Sequence, residues 1–200
     1  MNAILKSSVL LACVALATGC AVMTPPPPEP RKQVITQLPT DLPAGRTNAG
    51  VLLVHLPEAA PTYDTTEMAY TVKPYQLDYF ARNEWGEKPA VMIHALLVQT
   101  LRNAGFKDVQ APPHMGPHKY ALRSELVELR QDFTTEKPML RLKMRFELVD
   151  GTSRKVKATR ELTEAQPMTE KSPYAGVVAA NAATARMLKD AARFVMESAG

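Results

Sequence analysis

The stretch MLRLKMRFELVDG, residues 139–151, decides the fold. Leu140, Leu142, Met144, Phe146 and Leu148 alternate with Arg141, Lys143, Arg145 and Glu147. Successive side chains of a strand point to opposite faces, so this segment has one apolar and one charged face. That is the pattern of a half-buried antiparallel strand. Asp150-Gly151 supplies turn residues, and Ser153 to Leu162 is expected to run back as a hairpin. A two-residue turn sets Phe146 opposite Lys155. A slip of one residue sets Phe146 opposite Val156, Glu147 opposite Lys155 and Arg141 opposite Glu161. The second register satisfies both pattern and charge, so a bulge is expected at the turn.

The strand needs a partner. In Tyr120 to Phe133, Leu122, Leu126 and Leu129 fit a helix, whereas Tyr120, Leu122, Ser124 and Leu126 fit a strand with a later bulge. The strand is preferred because it supplies that partner. Farther upstream, Val51 to Leu56 is a short apolar run stopped by Pro57, the profile of a buried strand. Met68 to Val72 reads as another, ended by Pro74. Tyr75, Leu77, Tyr79 and Ala81 share one face at period two.

Two helices stand out. Pro89 suits a first helical position, and Ile93, Leu96, Leu97, Thr100, Leu101 and Ala104 recur at helical spacing. Gly105 is a natural C-terminal cap. Phe106 to Val109 is expected to return as a strand, with Ala111 to Lys119 a loop. In the second helix Ser172 is the expected N-cap and Pro173 the first residue. Its inner face is traced by Tyr174, Val177, Val178, Asn181, Ala185, Leu188, Ala192 and Val195. The expected fold class is α+β, an antiparallel sheet with two main helices packed on it.

The start of the chain is different in kind. Lys6 precedes an apolar run, Val9 to Ala17, about half the roughly 20 residues a membrane-spanning helix needs. A basic start, a short apolar run and small residues make a secretory signal peptide. Ala17-Thr18-Gly19 ends on Cys20, which resembles a bacterial lipobox. The lipobox implies a diacylglycerol on the Cys20 thiol, cleavage before it and an N-acyl group on the new amine. Two or more acyl chains hold a protein stably on a membrane. Ala21, not Asp, follows the cysteine, which resembles outer-membrane sorting. Cys13 and Cys20 are the only cysteines, so no disulfide framework exists beyond them. Seven of the 17 prolines fall between residues 25 and 43. That reads as a tether, with a short strand placed at Val34 to Leu38. The expected division is therefore residues 1–19 signal peptide, 20–49 lipidated N-terminus and tether, and 50–200 the α+β domain.

Composition excludes some functions. The net charge of +4 falls to +3 once Lys6 is removed, too little for a dedicated nucleic-acid binder. His114 and His118 are separated by Gly and Pro, with no further ligand close in sequence, so no metal site is expected. His55 and His94 sit in apolar runs and read as core or rim residues. No nucleophile elbow, phosphate loop or paired carboxylates are present, so no catalytic residue and no cofactor beyond the acyl groups is assigned. Arg141, Lys143 and Arg145 share one face, and Lys155 and Lys157 are expected beside them. This stripe is a candidate surface for an acidic partner or anionic headgroups; its bland alternative is a solvated face that protects the sheet.

Residues 64–92, DTTEMAYTVKPYQLDYFARNEWGEKPAVM, carry a family resemblance. Tyr63-Asp64-Thr65-Thr66, Met68, Tyr70, Pro74-Tyr75, Leu77, Tyr79, Ala81, Asn83, Trp85, Pro89 and Met92 resemble the ABC-type transport auxiliary lipoprotein component family, over roughly residues 34–197. The resemblance implies a lipoprotein on the periplasmic face of the outer membrane. It would serve an ABC transporter of lipids or hydrophobic compounds, and dock that transporter's mammalian-cell-entry-domain protein. It brings no catalytic residues. Trp85 and Tyr79 are read as core, and Arg82-Asn83-Glu84 as an exposed turn available for contact. Self-association is left open. The alternative role is an outer-membrane lipoprotein regulating envelope or peptidoglycan assembly, and a periplasmic enzyme comes third.

Overall fold

The computed structural model describes residues 28–42, 50–113 and 116–199. Residues 1–19, Cys20 and His114 therefore lie outside the described residues. The strands are β1 (Arg31–Gln33), β2 (Leu52–Val54), β3 (Glu58–Ala59), β4 (Glu67–Thr71), β5 (Asp78–Trp85), β6 (Val109–Gln110), β7 (Tyr120–Asp132), β8 (Met139–Asp150) and β9 (Val156–Pro167). The helices are α1 (Pro89–Asn103) and α2 (Pro173–Ala199).

Strand β7 organises the sheet. One of its edges pairs with β8 along nearly its whole length, in antiparallel register from Tyr120↔Asp150 to Asp132↔Met139. A register shift between Leu126 and Glu128 is the later bulge expected from sequence. The other edge is shared in series by β2, β3 and β4, all parallel to β7. Strands β1 and β5 are also parallel. The sheet is thus mixed, not purely antiparallel. Period-two patterning fixes which face a residue takes but not the direction of the neighbouring strand. Parallel neighbours need a long crossover, and here α1 lies in the chain between β2–β4 and β7.

The core is built as the patterns require. Leu142, Phe146 and Leu148 are fully buried, with Leu140 and Met144 nearly so. They face Leu122, Leu126, Leu129 and the helices. The α1 stripe is buried from Ile93 to Ala104, and Gly105 takes the left-handed cap conformation, φ 101°. On α2, Ser172 Oγ accepts the Ala175 N–H at 3.2 Å, the expected cap. The buried face of α2 is broader than its traced stripe. Ala180, Ala183, Met187, Ala191 and Phe194 are buried, whereas Tyr174 and Val178 are exposed. Small side chains let the helix sink close to the sheet. At Gly176 a Cβ would overlap the Gln131 side chain.

Three expectations change. The β8–β9 register is neither of the two considered: Phe146 lies opposite Arg160 and Arg145 opposite Glu161. The turn is longer because the Asp150 carboxylate caps it, accepting the N–H groups of Thr152 (3.1 Å) and Ser153 (2.7 Å) and the Ser153 hydroxyl (2.9 Å). The register shift falls at Leu148/Val149. Second, the strand expected from Tyr75 begins at Asp78; Pro74-Tyr75 forms the preceding turn, with Tyr75 at φ 65°. Phe80, not Tyr79, joins the aromatic cluster, its ring 4.4 Å from that of Tyr70. Third, the packed body starts before Gly50. Arg31–Gln33 pairs with Asn83–Trp85, and Ile35 is 3% exposed within the core. Residues 34–38, expected as a strand, instead leave the sheet. There the Asn181 side chain binds the Val34 carbonyl and the Thr36 and Gln37 amides.

Candidate functional site

The charged face of β8 lies on the side of the sheet away from the helices. Arg123, Arg130, Arg141, Lys143 and Arg145 share this outer face with Glu125, Glu128, Asp132, Glu147 and Glu161, as the pairing registers require. Five cations meet five carboxylates. Arg141 Nε reaches Asp132 at 3.1 Å, and Lys143 reaches Glu161 at 2.7 Å. Arg145 lies 3.4 Å from Glu125 and 3.8 Å from Glu161. Arg130 joins Glu128 at 2.6 Å and Asp132 at 3.7 Å. The face is a neutral ladder and not a basic stripe.

Its carboxylates are tuned accordingly. Burial pushes the Asp132 carboxyl up, but the Thr134 hydroxyl and amide, with Arg141, together hold it below its ordinary value. Hydrogen bonding from Lys143 holds Glu161 below the usual carboxylate range. Most of these pairs are half-exposed, where an ion pair contributes little stability.

The two lysines expected beside this face are elsewhere. Lys155 is exposed in the hairpin turn, where its carbonyl accepts the Asp150 N–H at 2.9 Å. Lys157 turns to the helix side. Its ammonium donates to the Tyr120 hydroxyl at 3.3 Å and sits 5.0 Å from that ring's centroid. Tyr120 in turn donates to the Ala199 carbonyl at 3.3 Å, so Lys157 stands near the negative end of α2.

Arg82, Asn83 and Glu84 do not form a turn. They lie inside β5, and Asn83 and Glu84 pair with β1. Glu84 forms an ion pair with Lys32 at 3.7 Å, and Asn83 accepts from Gln33 at 3.5 Å. Arg82 is exposed. Trp85 is core, 3% exposed, and half-buried Tyr79 donates its hydroxyl to the Thr62 carbonyl at 3.0 Å.

A cleft of about 590 Å³ opens on the outer face between His55, Leu56 and Glu58, Pro112, and the Arg123–Glu125 and Arg145–Glu147 pairs. Its size suits a small molecule, but its lining is largely charged, unlike the apolar walls that receive an acyl chain. Burial and the neighbouring Arg123 hold the His55 imidazole below its ordinary pKa, so it is biased to the neutral form. His94 contacts the Val54 carbonyl at 3.1 Å. The cleft was not visible in the sequence because four separate segments build it. Among the described residues no group of three or more His, Cys, Asp or Glu is arranged to hold a metal ion. Nor is any described helix long and apolar enough to cross a membrane.

Comparison with known proteins places the chain. The family model for the ABC-type transport auxiliary lipoprotein component matches residues 34–192. Among curated proteins no sequence matches. A crystal structure of a Xanthomonas campestris protein of family DUF330 is similar over 86% of this chain and 96% of its own, with a TM-score of 0.74 at 17% identity. A second crystal structure, of an uncharacterised protein, covers 84% and 99%, with a TM-score of 0.67 at 10% identity. At these identities the likeness is one of fold.

Proposed function

This chain belongs to the ABC-type transport auxiliary lipoprotein component family, and from that premise we propose that it is lipidated on Cys20, sits on the periplasmic face of the outer membrane and docks the mammalian-cell-entry-domain protein of a transporter for lipids or hydrophobic compounds. The observation that carries the reading is the family match across residues 34–192, preceded by the ordered signal Ala17-Thr18-Gly19-Cys20. The fold supports a docking role. Its outer face is a broad, charge-balanced sheet, and charged side chains ring the cleft in it.

The folded body starting at Arg31 sharpens the tether. Only residues 21–30 separate Cys20 from β1. Ten residues span at most about 35 Å when fully extended, which bounds how far β1 can stand from the anchored cysteine. The test is affinity purification of the full-length protein from detergent-solubilised envelopes, with mass spectrometry of what accompanies it. Enrichment of a mammalian-cell-entry-domain protein and its ATPase is the expected result. Enrichment of peptidoglycan synthases or septal proteins without them favours the envelope-assembly alternative.

A further inference from the structure

One end of the domain carries features that folding does not account for. Strand β4 runs into the 72–77 turn, and β5 runs back out of it antiparallel. Strand β1 is parallel to β5, with Arg31 beside Asn83. The N-terminal end of β1 therefore points toward that same turn. Thr71↔Asp132 and Met139↔Pro167 bring the β7–β8 turn and the end of β9 to this end as well. The start of α2 is there too, since Gln131 donates to the Pro173 carbonyl at 3.3 Å.

This end displays apolar and aromatic side chains. Tyr75 is fully exposed, Tyr174 is 69% exposed and Val72 45%. Lys73, Lys137 and Lys171 stand at this end, with Glu136 and Glu170 exposed beside the last two. Tyr75 also holds a left-handed backbone, φ 65°, which is costly for a bulky residue. That conformation belongs to the turn closed by the Gln76 N–H on the Lys73 carbonyl at 3.3 Å, while the fully exposed ring adds no burial to offset it.

We propose that this end, led by Tyr75 and Val72, docks on the bilayer interface as a second membrane contact beside the lipid anchor. The inference rests on the lipidation of Cys20. Tyrosine rings prefer the boundary between headgroups and acyl chains, and lysines extend to anionic headgroups beside them. The reach agrees. Residues 21–30 span at most about 35 Å when fully extended. The turn projects about 17 Å beyond Arg31, on the side from which the chain enters β1, because five residues separate Asp78 from Asn83. The docked domain stands upright on this end, with the Gly151–Arg154 turn at the opposite end.

The test uses the full-length lipidated protein in phosphatidylethanolamine–phosphatidylglycerol vesicles. An environment-sensitive fluorophore is placed at Gln76→Cys or, as control, at Thr152→Cys, both exposed positions. Lipid-borne nitroxide should quench the label at position 76 several-fold more than at 152. Val72→Ser with Tyr75→Ser should abolish the difference while the protein still floats with the vesicles. Equal quenching at 76 and 152 in floating protein overturns the docking alone. So does a blue-shifted label at 76 that lipid quencher does not reach, which would mean that a protein surface covers it. Protein that fails to float overturns the anchor and the docking with it.

Discussion

Asn181 fastens Val34 to the long helix. Its amide nitrogen donates to the Val34 carbonyl and to the Val177 carbonyl, each at 3.0 Å. Its oxygen accepts the Thr36 N–H at 2.8 Å and the Gln37 N–H at 3.0 Å. All four hydrogen-bonding positions of the side chain are filled. Asn181→Ala should lower stability by about 0.5–1.5 kcal/mol, the net worth of hydrogen bonds to exposed backbone groups that water can partly replace. Limited proteolysis should then cut within residues 34–42 sooner than in wild type, with the remaining core intact.

Asp132 gives the fold an acid-sensitive point. Its folded pKa lies below the ordinary 3.8. The unfolded chain therefore binds the proton more readily, and stability rises with pH across the interval between the two values. The contribution is complete above about pH 3.8 and is lost as pH falls through the depressed folded value. Asp132→Asn should flatten that acid limb, and Asp132→Ala should cost about 1–3 kcal/mol at neutral pH by leaving Arg141 and Thr134 without their acceptor. Denaturant titrations at a series of pH values measure both.

Leu97 is fully buried at the centre of the α1 stripe. Leu97→Asp places an unpaired carboxylate there, at a cost of several kcal/mol against a total of about 5–15. The variant should lose its cooperative melting transition, whereas Val91→Asp, on the half-exposed side of the same helix, should melt close to wild type.

The ladder on the outer face should behave as an interlocked set. Replacing Arg141, Lys143 and Arg145 with Ser takes from Glu125 and Glu161 the cations paired with them and leaves Asp132 with Arg130 alone, 3.7 Å away. Melting should fall modestly, by more than Lys155→Ser with Lys157→Ser. Added salt should narrow the gap by screening the unpaired carboxylates. Calorimetry across a salt series reads this directly.

Much of the fold was legible because its strongest signals are local. Strict alternation in 139–148 placed five side chains in the core, and the Pro89-to-Gly105 stripe set α1 between its own stop signals. Directions and registers were not local. Nothing in Leu52–Val54 says that it lies parallel to Tyr120–Leu122. The hairpin register was lost because Asp150 caps a longer turn than Asp-Gly suggested. The outer face was misread for a related reason. Arg141, Lys143 and Arg145 are adjacent in sequence, but the carboxylates that neutralise them come from β7 and β9. Tyr174 and Val178 fit the helical period yet face outward, because the many alanines bury a wider and differently centred face of α2.

The most direct measurement of docking follows the partner and not this chain. Envelopes from cells carrying wild type or Cys20→Ala are separated on a density gradient, and the mammalian-cell-entry-domain protein is quantified in inner- and outer-membrane fractions. With wild type, part of that protein should sediment with the outer membrane. With Cys20→Ala that part should move to the inner membrane while its total amount stays constant. An unchanged distribution between the two strains would contradict the assignment of this lipoprotein as the link between transporter and outer membrane.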